Sequence, residues 1–141
     1  MDEQVRIESK EEVSTYIARL KYALDQNAEI KVQMERQVDY QRELRYTNKF
    51  TIADLFPDEK PTDAMRRELK TLTVENYLRT VKDIHFPNKK EMREFGKVYN
   101  GKDDVYIKIR VELLGNTGTT TFVMSFHYAE RPLSEEHFPY R

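Results

Sequence analysis

Five side chains suited to acid–base and phosphate chemistry lie close together in the carboxyl-terminal part of the sequence. They are Tyr106, Lys108, Arg110, Ser125 and His127. A histidine has an unperturbed pKa of about 6.5 and can transfer a proton near neutral pH, while a tyrosine hydroxyl can donate a hydrogen bond or a proton. Lysine and arginine can hold phosphate charge. Such a set could cleave RNA without a metal ion, because that reaction needs a base, an acid and cations around the phosphorus.

These side chains come together if residues 105–128 form a β-hairpin. Apolar and polar residues alternate along both halves of this segment, which is typical of strands with one buried face. The apolar face is predicted to hold Val105, Ile107, Ile109, Val111, Phe122, Met124 and Phe126. The polar face is predicted to hold Tyr106, Lys108, Arg110, Glu112, Thr121, Val123, Ser125 and His127.

The loop between the two strands suggests a register. Residues 115–118 are Gly-Asn-Thr-Gly, a composition suited to reversing the chain because Gly and Asn tolerate positive φ. With Leu114 opposite Thr119, antiparallel counting predicts four further pairs: Tyr106 with His127, Lys108 with Ser125, Arg110 with Val123, and Ile107 with Phe126. Opposed side chains are about 5 Å apart at Cβ, so the polar residues would form one cluster. An antiparallel sheet commonly has a solvated polar face, so a purely structural interpretation stays open.

The segments before this hairpin are predicted to be mainly helical. Ser9 and Glu12 have capping-box spacing, and the apolar residues that follow predict a helix from about Ser9 to Gln26. Alternation over residues 29–35 predicts a strand, with a continuing helix as the alternative. Residues 36–49 are expected to be loop or frayed helix. A short turn follows Thr51, a helix begins at Thr62, and Thr73 caps a further helical turn that would expose Arg79.

We therefore predict an α+β fold in a single domain over residues 1–141. The helical part is expected over about 9–82, and the antiparallel sheet of three or four strands with the carboxyl-terminal tail over about 91–141. A strand over residues 91–99 and the Asn100-Gly101 turn would lead into the central hairpin. The tail contains two prolines and is expected to lie across the surface without regular structure.

Composition excludes several classes of protein. The chain has no cysteine, which excludes disulfides, thiol catalysis and thiolate metal sites. Its three histidines lack metal-ligand spacing, and it has no phosphate-binding Gly loop, HExxH pair or Gly-x-Ser-x-Gly elbow, so we expect no metal and no cofactor. The net charge of -1 neither indicates nor excludes a nucleic-acid partner. The acidic amino terminus and the lack of a long apolar run predict a soluble, cytoplasmic protein without signal peptide or membrane span.

A series of short motifs, taken in order, resembles MqsR-type toxins of toxin–antitoxin pairs. The motifs cover about half of the chain, mostly the carboxyl-terminal half. They are Leu72-Thr73-Val74-Glu75-Asn76-Tyr77, Phe95-Gly96-Lys97, Asn100-Gly101, Val105-Tyr106-Ile107-Lys108-Ile109, Ser125-Phe126-His127, Ala129, Pro132-Leu133 and Phe138-Pro139-Tyr140.

The resemblance implies a RelE-like or barnase-like fold and a metal-independent endoribonuclease that cleaves mRNA. It implies catalytic roles for Tyr106 and His127, and for Arg79 as the nearest match to a lysine that follows the family's short helix. The residues expected to contact the substrate are Lys108, Arg110, Ser125 and Lys97.

The resemblance also implies partners. They are mRNA and a cognate antitoxin protein, with the participation of the ribosome left open, and neither a membrane nor DNA bound by this chain alone is expected. The alternative is a non-catalytic interaction or inhibitor module on the same fold, which would bind a protein through its sheet or its amino-terminal helix.

Overall fold

A six-stranded mixed β-sheet carries three α-helices on one face. The computed structural model describes residues 3–35, 43–85, 88, 90–113 and 119–141. In these residues the strands are β1 (Glu3–Arg6), β2 (Glu29–Val32), β3 (Tyr77–Asp83), β4 (Met92–Tyr99), β5 (Asp103–Leu113) and β6 (Thr119–Tyr128). The helices are α1 (Lys10–Asp25), α2 (Asn48–Leu55) and α3 (Pro61–Leu69). The predicted α+β class is confirmed.

The sheet is larger than predicted and is not purely antiparallel. Its strand order is β1-β3-β4-β5-β6-β2, and β2 runs parallel to β6 while the other neighbours are antiparallel. Strand β1 was not predicted, because its four exposed residues include only one apolar side chain, Val5, and show no clear alternation. The expectation of three or four antiparallel strands is therefore wrong.

The main core lies between the helices and one face of the sheet, here called the helix face. Helix α1 begins with the predicted capping box, in which the Ser9 hydroxyl accepts from the Glu12 N–H at 3.1 Å and the Glu12 carboxylate accepts from the Ser9 N–H at 2.9 Å. Its buried residues recur at helical spacing and pack on the sheet: Val13, Ile17, Leu20 and Leu24. The strands contribute Tyr77, Phe95, Val105, Ile107, Ile109, Val123 and Phe126 to the same cluster.

Strand β3 occupies a region that was predicted to be helical. Thr73 does cap a turn, but this turn is a single 3-10 turn (Val74–Asn76), and the chain then extends as a strand. Strand β3 pairs with β1 and β4, and it has buried residues on both faces, because Tyr77 packs in the main core and Leu78 packs against the carboxyl-terminal tail. Its apolar residues therefore do not alternate simply. A bulge at Leu78 adds to this, since Tyr77 pairs with Phe95 and Arg79 already pairs with Glu94.

A second bulge lies in β6 at Met124. Lys108 pairs with Ser125 and Ile109 with Val123, so Met124 is the extra residue. The buried side chain of Asn48 at the start of α2 holds this bulge: its amide nitrogen donates to the Met124 carbonyl at 3.0 Å and its amide oxygen accepts from the Phe126 N–H at 3.0 Å. These bonds satisfy backbone groups around a position where the ladder is interrupted.

The bulge reverses the predicted faces for the first half of β6. Val123 and Thr121 are fully buried on the helix face, although they were predicted on the polar face. Phe122 and Met124 are only partly buried, so their predicted burial is wrong, and Arg110 lies opposite Phe122 rather than Val123. The predicted burial of Ile107, Ile109 and Phe126 is confirmed. Thr119 pairs with Leu113, so the predicted pairing of Leu114 with Thr119 is wrong by one residue.

A buried carboxylate joins both ends of the chain to the sheet. The carboxylate of Glu8, which is 4% exposed, accepts from the Thr80 hydroxyl at 2.5 Å and from Arg93 Nε at 2.8 Å. The Tyr140 hydroxyl donates to the Glu8 carbonyl. Burial alone would raise the pKa of Glu8, but the hydrogen bonds and the charges of Arg93 and Arg6 outweigh it and lower that pKa.

In the described part of the chain, no helix is both long enough and apolar enough to cross a lipid bilayer.

Candidate active site

The face of the sheet opposite the helices, here called the polar face, brings four functional side chains into neighbouring strands. Arg79 comes from β3, Glu94 from β4, Tyr106 from β5 and His127 from β6. The pairs Arg79 with Glu94 and Tyr106 with His127 are direct strand neighbours. The polar face is less exposed than predicted, since Glu94, Lys108, Ser125 and His127 are each less than a tenth exposed.

Tyr106 and His127 form the pair that the sequence predicted. Their rings lie opposite each other across β5 and β6, with centroids 5.4 Å apart and planes tilted by 41°. His127 Nδ1 lies 2.9 Å from the carbonyl oxygen of Tyr128. Because a carbonyl oxygen only accepts hydrogen bonds, Nδ1 carries the proton of this contact, and the neutral ring has its lone pair on Nε2.

The side chain of His127 is more buried than expected. This residue was expected to be an exposed strand-end side chain with little packing, but it is only 7% exposed. The bond from Nδ1 to the backbone and the contact with the Tyr106 ring account for that burial. Replacement of His127 by alanine would therefore disturb packing as well as chemistry.

Glu94 connects the members of the site and was missed in the sequence. Its carboxylate accepts from Arg79 Nη1, lies 3.9 Å from Lys108 Nζ and helps to raise the pKa of the Tyr106 hydroxyl. The signal that could have found it is the alternation of β4: Phe95 faces the core, so Glu94 must face the other side of the sheet.

Burial sets the protonation state of Tyr106. Removal from water raises the pKa of its hydroxyl well above the ordinary value near 10, and the negative charge and hydrogen bond of Glu94 raise it further. The hydroxyl therefore remains protonated at neutral pH. Tyr106 can donate a hydrogen bond or a proton, but it cannot serve as the base.

Arg79 is held between two carboxylates. Nη1 donates to Glu94, and Nη2 donates to Glu136 of the carboxyl-terminal tail at 2.7 Å. Burial opposes the charge of this guanidinium, but the two carboxylates outweigh burial and raise its pKa. Glu136 was also missed in the sequence, because its approach depends on how the tail folds back over the sheet.

The other predicted substrate contacts have different environments. Lys108 is 8% exposed and pairs with Glu3 at 3.1 Å. Arg110 pairs with Glu112 at 3.1 Å, and its guanidinium lies 4.6 Å from the centre of the Phe122 ring. Lys97 is not brought to the site: it donates to the Thr71 hydroxyl and lies over the Tyr99 ring near the helix face. Ser125 is buried beside Lys108.

A cleft of about 320 Å³ opens beside the Tyr106–His127 pair. The tail, here meaning residues 129–141, forms its other wall. The lining residues are Tyr106, His127, Ala129, Glu130, Arg131, Leu133 and Glu136. Tyr106 and His127 thus line a cleft that the tail completes, rather than an open sheet surface.

Acid–base chemistry on an anionic substrate suits this arrangement. It combines the imidazole ring of His127, the Tyr106 hydroxyl, which keeps its proton, and the charged guanidinium of Arg79 on a nearby strand. In the described residues, no group of three or more His, Asp or Glu side chains could hold a metal ion.

No family model, curated protein or solved structure matches this chain.

Proposed function

We propose that this chain is a metal-independent endoribonuclease that cleaves mRNA as the toxin of a toxin–antitoxin pair. The observation that carries the proposal is the Tyr106–His127 pair, which places a protonated hydroxyl and a ring nitrogen side by side at the mouth of a cleft. The ordered motifs that resemble MqsR-type toxins support the same proposal. A RelE-like fold and a cytoplasmic location are part of what we propose.

The proposed reaction is an internal transesterification. The ribose 2′-oxygen attacks the adjacent phosphorus, the bond from phosphorus to the 5′-oxygen breaks, and the products are a 2′,3′-cyclic phosphate and a 5′-hydroxyl. A base must take the 2′-hydroxyl proton, an acid must protonate the departing 5′-oxygen, and cations must stabilise the pentacoordinate phosphorane.

His127 and Tyr106 fit the two proton-transfer roles. In the neutral ring, His127 has its lone pair on Nε2 and can take the 2′-hydroxyl proton. Tyr106 keeps its proton because of burial and Glu94, and can donate it or a hydrogen bond to the departing oxygen. Arg79 is held in place by its bonds to Glu94 and Glu136 and supplies a fixed positive charge close to Tyr106.

A non-catalytic interaction module is the second candidate, and one observation favours it. The cations of the polar face are already paired within the chain: Lys108 with Glu3, Arg110 with Glu112, and Arg79 with Glu94 and Glu136. A nucleic acid would have to compete with these carboxylates. A protein partner with polar groups on its own surface would not need to separate the pairs.

Cleavage of labelled single-stranded RNA in EDTA tests the proposal. The wild-type chain should cut RNA and leave a cyclic phosphate, while DNA of the same sequence stays intact because it lacks the attacking hydroxyl. His127→Asn keeps an amide that can donate to the Tyr128 carbonyl, and should lower the single-turnover rate by roughly 10²–10⁴-fold. His85→Asn is the matched control, since His85 is exposed beyond the end of β3.

Tyr106→Phe should also slow cleavage, and its combination with His127→Asn should lose less than the product of the two single losses, because residues that act as a unit are non-additive. Melting curves of every variant separate chemistry from folding. A folded wild-type protein that cuts no RNA, with or without ribosomes, would favour the interaction module. Full activity in folded His127→Asn would remove His127 from the mechanism.

A further inference from the structure

The tail is fixed on the polar face by buried apolar contacts. Leu133 and Phe138 are 3% and 8% exposed and pack with Leu78 in a second cluster that also touches Tyr106. The absence of a side chain at Gly96 allows this approach, since a Cβ there would lie 2.9 Å from Phe138 Cζ and 3.0 Å from Leu133 Cδ1. The tail is therefore part of the folded structure over the site.

Residues 129–133 form a loop that Asp104 holds at both ends. The Ala129 N–H donates to the Asp104 carbonyl at 2.9 Å, and the Leu133 N–H donates to the Asp104 carboxylate at 2.8 Å. Arg131 lies between these two anchors, followed by Pro132, whose ring restricts the backbone. The main chain beneath Arg131 is thus positioned before any ligand enters the cleft.

Arg131 differs from the other cations near the site in its charge environment. Arg79 and Lys108 are each bound to carboxylates, whereas none of the residues that the structure describes forms an ion pair with Arg131. Its side chain is exposed and lines the same cleft as Tyr106 and His127. A guanidinium without a carboxylate partner is suited to bind a phosphate through two parallel hydrogen bonds.

We infer that Arg131 binds a backbone phosphate of single-stranded RNA in the cleft beside His127. This inference rests on the proposed ribonuclease function and adds the residue that binds the substrate's charge. Glu130 and Glu136 line the same cleft, and Glu136 is neutralised by Arg79. Among the described residues that line this cleft, Arg131 is the one arginine or lysine, so phosphate binding in the cleft should depend on it.

Binding of an RNA analogue that cannot be cleaved tests this inference apart from catalysis. A fluorescent 2′-O-methyl oligonucleotide has no free 2′-hydroxyl to attack the phosphorus, so its affinity for the wild-type chain is measured by anisotropy at several salt concentrations. Arg131→Gln should weaken binding by about 10-fold or more at low salt. It should also reduce the slope of log affinity against log salt by about 0.7, the value for one phosphate contact on a single strand.

Arg19→Gln is the matched control. Arg19 is exposed on α1, on the helix face, and its replacement removes the same charge from the chain. It should leave affinity within about twofold of wild type. Arg131→Lys keeps the charge but loses the bidentate geometry, and should fall between wild type and Arg131→Gln. Melting curves of Arg131→Gln should match wild type, because an exposed side chain contributes little packing.

The outcomes separate the inference from the proposed function. Binding that depends on Arg131, in a protein that cuts no RNA, supports the inference and refutes the ribonuclease. Cleavage by the wild type with unchanged KM and salt slope in Arg131→Gln refutes the inference and leaves the ribonuclease in place. The inference is also overturned if Arg131→Gln and Arg19→Gln lose equal affinity for the analogue, or if the wild type does not bind the analogue.

Discussion

Two phenylalanines on β6 provide the sharpest test of the fold. Phe126 is fully buried on the helix face, with its ring centre 5.8 Å from that of Tyr99 and 6.2 Å from that of Phe56. Phe122 lies four residues earlier but beyond the bulge at Met124, on the polar face, where it is only partly buried. Without the bulge, the two rings would share one face and contribute similarly to stability.

The structure instead predicts that Phe126→Ala lowers the free energy of unfolding much more than Phe122→Ala does. Phe126→Ala removes a fully buried ring together with its edge contact to Tyr99 and its tilted contact to Phe56, so it should lower the free energy of unfolding by about 3–5 kcal/mol. Phe122→Ala loses part of its burial and its contacts with the cations of Arg110, at 4.6 Å, and Lys31, at 5.8 Å. Each such contact at an exposed site contributes about 0.5–1 kcal/mol, so the total loss should be about 1–2 kcal/mol.

Equilibrium urea denaturation measures both losses. The chain contains no tryptophan and nine tyrosines, so far-ultraviolet circular dichroism and tyrosine fluorescence are the appropriate signals. The two variants should keep the wild-type denaturant slope, because a change in slope would mean that the folded or unfolded ensemble itself had changed. Equal midpoint shifts for Phe122→Ala and Phe126→Ala, or a larger shift for Phe122→Ala, would refute the bulge and restore simple alternation.

Two further variants test the network at the chain ends and the contact beneath the tail. Glu8→Gln should destabilise the chain by about 1.5–3 kcal/mol at pH 7 through its weakened bond to Arg93. The folded-state pKa of Glu8 is lowered, so its contribution is complete above the ordinary value near 4.5 and is lost as pH falls through the lower folded value. The urea midpoints of the wild type and Glu8→Gln should therefore differ at pH 7 and lie closer together at about pH 3. A difference between the two proteins that stays the same at both pH values would contradict this role. Gly96→Ala should cost about 1–3 kcal/mol, because the added methyl meets Phe138 and Leu133. The double variant Gly96→Ala/Leu133→Ala should lose less stability than the sum of the losses of the two single variants. Strict additivity in melting experiments would argue against the contact.

The register of the central hairpin was predicted correctly on one side of the bulge only. Tyr106 lies opposite His127, Lys108 opposite Ser125 and Ile107 opposite Phe126 as predicted, because the extra residue Met124 offsets the error of one residue at Thr119. Helix α1 was predicted because its signals are local, since its capping box and its apolar stripe lie within one segment.

The bulge at Met124 could not be predicted from β6 alone. It is stabilised by Asn48, a residue of α2 that is distant in sequence and whose buried amide bonds the interrupted backbone of β6. A polar residue at the start of a short helix gave no signal that it would be buried. One extra residue then moved Phe122 and Val123 to the opposite faces from those predicted.

Strand β3 was misassigned because local and tertiary signals conflict. The Thr73 cap and the spacing of Tyr77, Leu78 and Val81 also fit a helix, but β1 and β4 provide hydrogen-bond partners on both sides of this segment. Burial on both faces removes the alternation that identifies a strand. The change matters for the site, since Arg79 lies on the sheet beside Glu94 rather than on an exposed helix.

The structure places Tyr106 and His127 of the predicted site side by side and adds neighbours that the sequence did not predict. Tyr106 and His127 were found through the hairpin register, whereas Glu94, Glu136 and Arg131 reach the site through β4 and the tail. The tail lacks regular periodicity, so its path over the sheet is set by the fit of Leu133 and Phe138 against Gly96. That fit is a tertiary property which composition does not encode.

The charge arrangement of the polar face divides the proposed site into two layers. Glu94 is 4% exposed and is surrounded by Arg79, Lys108 and the Tyr106 hydroxyl, so a carboxylate already occupies the inner position among the cations. A phosphate that displaced Glu94 would leave a buried carboxylate without its partners, which is costly. In the proposed reaction the phosphate therefore binds in the outer layer, between His127 and Arg131, and the inner layer fixes Tyr106 and Arg79 in advance.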